Sequence, residues 1–243
     1  MNSKLQLNDL KITFVSLNNE INHVIRKVFP IEQYPNIKSV CQNVSKCVPH
    51  DCIVSPANSF GQMDGGIDKT LSYLLMKNQE FEYIGEKVRN IISYRYSGEQ
   101  PVGTCILLNS GSPFFPFLAH APTMTVPTDV VDTLNAYYAF KSVLEEIVNH
   151  NRDCENSTYI SSLLTTTFCT GYGEMSITNS LIQMKKAYDI VNSPIIPTWE
   201  NANELVSELK IIKKMGYTAF ANNILLKSFT KQINKKTDKH IKF

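Results

Sequence analysis

Apolar positions along the chain form short β-branched runs that alternate with stretches of helical spacing. Leu10–Leu17 alternates apolar with polar residues and predicts a strand. Ile21, Ile25 and Val28 then recur at helical spacing, and Phe29-Pro30 ends that helix because proline cannot continue it. Ile37–Cys41 predicts a second strand and Cys52–Val54 a third, which feeds a helix carrying Ile67, Leu71, Leu74 and Leu75. Phe81, Ile84, Val88 and Ile91 mark a further helix. The turn Gly98–Pro101 leads to two strand-length runs, Thr104–Leu108 and Phe117–Ala121, parted by Asn109–Pro113.

The prolines of Pro122–Asp129 exclude a regular helix there, and Leu134, Tyr137, Phe140, Leu144, Ile147 and Val148 predict a strong one afterwards. Tyr159–Phe168 reads as a strand running into a glycine turn, followed by a helix capped by Ser176 with Ile177, Leu181, Met184, Tyr188 and Val191. Beyond Pro194 and Pro197 a shorter helix is expected over Asn203–Lys214, with Gly216 closing it. Such alternation predicts an α/β fold of three layers, a mixed sheet with helices on both faces. The expected division is a body over 1–197 and a C-terminal helical extension with a basic tail over 198–243.

Two junctions stand out within that pattern. The third strand passes through Ser55, Ala57 and Asn58 to Asp64-Gly65-Gly66-Ile67-Asp68 at a helix start. The later strand runs into Thr170-Gly171-Tyr172-Gly173-Glu174. Glycines let the backbone approach a phosphate, and N–H groups at a helix start point at it. Neither loop has the Gly-Lys-Ser/Thr of a P-loop or the Gly-x-Gly-x-x-Gly of a dinucleotide fold. Two such loops at the carboxyl ends of strands would clamp a diphosphate between them.

Composition narrows the setting. Of 243 residues, 43% are hydrophobic and 19% charged, as in ordinary folded domains. A net charge of +2 gives no electrostatic footprint for nucleic acid, so no such partner is expected. Without an apolar run long enough to span a bilayer, no membrane partner is expected. The six scattered cysteines and the lack of a signal-like apolar core in Met1–Gln6 point to a cytoplasmic chain, with the nucleus as the alternative.

The two loops, in this order, resemble those of the macrodomain family, with supporting likeness in Pro101–Thr104, Ala121–Met124, Asn135–Tyr137 and Gln183–Tyr188. The resemblance covers roughly residues 10–192. It implies an α/β/α module that binds ADP-ribose or an ADP-ribosylated substrate and needs no cofactor. It also implies ligand contacts from Ser55, Ala57, Asn58, Gly65, Gly66, Ile67, Thr170, Gly171, Tyr172, Gly173 and Glu174, with Asn58 at the distal ribose. By the same resemblance, the activity is hydrolysis of ADP-ribose 1''-phosphate or of protein-linked ADP-ribose, with Asn58, Asp68 and Asp64 as catalytic candidates. A non-catalytic ADP-ribose reader and an interaction scaffold with a degenerate cleft are the alternatives. Where the family carries an acidic contact to adenine after its first strand, this chain has Ser16–Asn19, leaving Asn18, Asn19 or Asp51 as substitutes.

Other residues have plainer readings. Asp68 also suits a helix start stabilised by the helix dipole. Cys41, Cys47, His50 and Cys52 lack a Cys-x-x-Cys pair, so no metal site is expected. His120, inside an apolar run, reads as a core histidine before an acid catalyst. Trp199 is expected to pack the last helix onto the body. The tail from Lys227 to Phe243, rich in lysine, reads as a solvated end, with nucleic-acid binding or anion steering as the alternative.

Overall fold

A computed structural model describes residues 7–76 and 84–218. Its strands are β1 Lys11–Ser16, β2 Ile37–Cys41, β3 Cys52–Asn58, β4 Ile106–Asn109, β5 Phe117–Met124 and β6 Ser162–Thr165. They form one six-stranded sheet in the order β2-β1-β6-β3-β5-β4. Neighbours pair in parallel except β4, which runs antiparallel to β5. The short 109–117 connection, where the Ser110 N–H donates to Pro116 O, can only return the chain antiparallel, since a parallel pairing needs a longer crossover.

The helices are α1 Asn19–Val28, α2 Gly66–Met76, α3 Ile84–Tyr96, α4 Asn135–Asp153, α5 Ile177–Asn192 and α6 Trp199–Thr218. Alternation along β3 sends Ile53 to one face and Val54 to the other, and each finds its own core. Ile53 packs with Leu71, Leu75, Val88, Ile92 and Leu118 under α2 and α3. Val54 packs with Phe14, Ile25, Phe140, Leu144 and Leu181 under α1, α4 and α5. Strands buried on both faces read as nearly continuous apolar runs, and the fold is the expected three-layer α/β sandwich with a mixed sheet.

The departures are local. The run Tyr159–Phe168 yields only the four residues of β6. Its first part is taken by α4: the Asn151 side-chain amide brackets Ile160, donating to Ile160 O at 2.7 Å and accepting from Ile160 N–H at 2.8 Å. The last helix starts at Trp199 rather than near Asn203, because the Thr198 hydroxyl accepts from the Asn201 N–H and caps it there. Gly216 does not close it, since α6 runs on to Thr218. Trp199 is 86% exposed and anchors nothing; Leu209 and Ile212 are the residues that seat α6 in the core. Phe81 and the Lys227–Phe243 tail lie outside the described residues. No described helix is long and apolar enough to cross a membrane.

Candidate functional site

The parallel strands deliver their carboxyl ends to one edge of the sheet, where the loops after β3, β5 and β6 enclose a cleft of about 240 Å³. From the first loop it is lined by Ala57, Asn58, Asp64, Gly65, Gly66, Ile67 and Asp68. Thr170, Gly171 and Tyr172 line it from the second loop. The structure thus brings together most of the expected site residues. Three expected contacts stand back from it: Ser55 lies behind Asp68, while Gly173 and Glu174 shape the second loop without lining the cleft.

The first loop is built by its own sequence. Asn58 ties it closed, its side-chain oxygen accepting from the Phe60 and Gln62 N–H groups and its amide nitrogen donating to Gln62 O at 2.8 Å. Gly66 has φ +55°, a left-handed conformation that glycine adopts without strain. The Lys69 N–H donates to Gly65 O, so the first turn of α2 presents the N–H groups of Gly66, Ile67 and Asp68 at the cleft. Among the described residues no lysine, arginine or histidine lines the cleft. An anion there is therefore met by backbone N–H groups and the positive end of α2.

The second loop is braced from outside. Met175 N–H donates to Cys169 O, Glu174 N–H to Gly171 O, and Val130 N–H to Gly173 O. Cys169 and Glu174 both hold positive φ, at 62° and 53°. Tyr172 is 65% exposed and lies across the first loop, its ring 3.8 Å from where a Gly65 side chain would begin. The loops therefore meet over the cleft, joined by one aromatic ring.

Gly173 has no such freedom. An added Cβ would sit 2.6 Å from Cys169 O and 2.7 Å from Val130 Cγ2, and the first of these is backbone that cannot swing aside. Gly173→Ala is expected to cost about 2 kcal/mol of stability by overpacking. Urea unfolding checks this; an unchanged midpoint would mean that the loop relaxes freely.

Two carboxylates flank the glycines, and they differ sharply. Asp64 is exposed. Asp68 is buried to 7% exposure and accepts a 2.6 Å hydrogen bond from the Ser55 hydroxyl. Burial pushes its pKa up to about 6, with Ser55 pulling it down and the Asp64 charge pushing it up.

The remaining candidates fall elsewhere. Asp51 precedes β3, at the edge of the sheet opposite the cleft, where Ser161 and Ser162 donate to it; it cannot take part in the site. The Asn18 side chain accepts from the Glu20 N–H as the cap of α1, and neither Asn18 nor Asn19 lines the cleft. His120 is fully buried, with Nδ1 2.8 Å from Gln100 Oε1, and burial lowers its pKa to about 3. It is a neutral core histidine and not a cleft acid. His50 has Nδ1 against Val48 O and Nε2 against Thr13 Oγ1, so its ring is used by the fold.

Sequence reasoning missed Pro56, Gln62, Thr123, Met124, Pro127, Thr166, Thr167 and Cys169 in the lining. Thr123, Met124, Thr166 and Thr167 lie at or just past the ends of β5 and β6. Extending each predicted strand to its carboxyl end would have found them.

The site is therefore a two-loop cleft at the carboxyl edge of an α/β sandwich. No family model matches the chain, and no curated protein matches it. Among solved structures it is similar to the macrodomain of Mycobacterium tuberculosis DarG, at 12% identity over 62% of this chain and 88% of that one, with a TM-score of 0.49. It is also similar to an Oceanobacillus iheyensis macrodomain with MES bound, at 14% identity over 61% of this chain and 74% of that one, TM-score 0.44. A third is a Trypanosoma brucei macrodomain in complex with ADP-ribose, at 12% identity over 74% of this chain and 58% of that one, TM-score 0.42. With every one of these TM-scores below 0.5, the chemical reading rests on the cleft itself.

Proposed function

We propose that the chain is a macrodomain-like module that binds ADP-ribose or a derivative, with the diphosphate between the two glycine loops. The observation that carries this reading is the convergence on one cleft of the α2 N-terminus, Gly65-Gly66 and the open Gly171-Tyr172 turn. Backbone N–H groups supply the donors for a diphosphate, and Tyr172 supplies an apolar face for a sugar.

The hydrolytic form of this reading is favoured by Asp68. A carboxyl titrating at about 6 in the cleft can hold or release a proton near neutral pH, as an acid–base group acting on the scissile bond must. Ser55 holds it in one orientation. Asp64, exposed at the rim, is left with an electrostatic part, and Asn58 maintains the loop that both flank.

Release of phosphate from ADP-ribose 1''-phosphate and of ADP-ribose from a modified protein test for turnover. Turnover of either substrate that falls roughly a hundredfold in Asp68→Asn is the expected result. Binding without turnover would favour the reader, a form that has one observation on its side: the Asn58 amide is already committed to its own loop.

A further inference from the structure

We propose that this cleft is a proton-linked anion site, in which a diphosphate ester binds together with a proton taken up by Asp68. The inference rests on the ADP-ribose reading above and adds to it how binding responds to pH.

Asp68 belongs to the same first turn of α2 whose N–H groups face the cleft, and it lines that cleft from a buried position. Its one hydrogen bond among those the structure gives is from Ser55 Oγ, a neutral donor. No cationic side chain lines the cleft among the described residues, so an arriving anion and an ionised Asp68 compete for the same helix N-terminus. Two like charges sharing a desolvated site cannot both persist without raising the pKa of one of them. A diphosphate diester has no proton to regain near neutrality. The proton therefore goes to the carboxylate.

The groups around Asp68 leave it as the titrating member. From β3 comes Ser55, which carries no charge. From the entering loop comes Asp64, whose charge raises Asp68 further. Lys69, next on α2, is exposed, and Ser72, one turn on, is neutral and donates its hydroxyl to Lys69 O. On β5, His120 is the register partner of Ser55 and stays neutral, since burial holds its pKa near 3. Across the cleft stand Thr166, Thr167, Tyr172 and Cys169, and burial pushes the Cys169 thiol up to about 12.

Calorimetric titration of the full chain with ADP-ribose, at about pH 5.5 and about pH 7.5, tests the link. The expected result is a Kd roughly tenfold weaker at the higher pH. Paired buffers of different ionisation enthalpy should report uptake of a large fraction of one proton near neutrality. Asp68→Asn should bind with the same Kd at both pH values. Ser55→Ala removes the donor that holds the pKa down, so it should move the midpoint of the pH dependence upward. That shift would not follow from a purely structural role for Ser55. Saturable binding with equal Kd and no proton uptake in the unaltered chain would overturn the proton link while leaving the binding reading intact. No binding at either pH would overturn both.

Discussion

Gly171→Val is expected to weaken ADP-ribose binding by roughly a hundredfold or more, about 2.7 kcal/mol, without lowering the melting temperature. The asymmetry follows from where Gly171 sits. A Cβ built there meets nothing within 4 Å, and the residue is not among those with positive φ, so the fold has no objection to a side chain. The same open space lines the cleft, and a branched side chain would occupy the ground a diphosphate needs. Thermal unfolding and ligand titration of one preparation separate the two effects. A variant that binds as tightly as the unaltered chain would show that no ligand approaches the second loop at that point.

Asp68→Asn is expected to stabilise the folded chain by up to about 3 kcal/mol at neutral pH. The carboxyl titrates at about 6 when folded, against its usual 3.8. Between those values the folded state binds more protons than the unfolded one, so stability falls as pH rises through the window. The displacement of about two pH units corresponds to about 3 kcal/mol once the group is fully ionised in both states. Asparagine can still accept from Ser55 and carries no charge to desolvate. Urea unfolding should therefore show a gain at about pH 7 to 8 that shrinks as pH falls and vanishes below about pH 3, where both states hold the proton. A gain of equal size at both pH values would contradict the ionisation account.

Much of the architecture was legible because each strand carries its own punctuation. Ile37–Cys41 became β2 without change, and Ser176 caps α5 by accepting from the Asn179 N–H. The glycine loops were legible for a similar reason: Gly65, Gly66 and Gly171 punctuate the turns, and all three line the cleft. What could not be read were relations between distant segments. Periodicity places no strand beside another, and β6 enters the sheet between β1 and β3, both distant from it in sequence. The bracketing of Ile160 by Asn151 is a tertiary contact that shortened a strand the local pattern favoured. The brace from Val130 to Gly173 likewise depends on two loops meeting.

At the site, residue type was informative and orientation was not. Asp64 and Asp68 read alike in sequence, yet one is exposed and the other is buried against Ser55. Asn58 reads as a ligand contact, whereas its amide closes its own loop. His120 and Trp199 were decided by burial alone: one is fully enclosed, and the other stands in solvent.

Titration calorimetry with ADP-ribose tests the central claim most directly. The two-loop cleft predicts saturable, one-to-one binding with a Kd of roughly 10 μM or tighter, about 7 kcal/mol. It also predicts that the heat disappears in Gly171→Val. A flat titration at millimolar ligand, from a protein that still unfolds cooperatively, would contradict it.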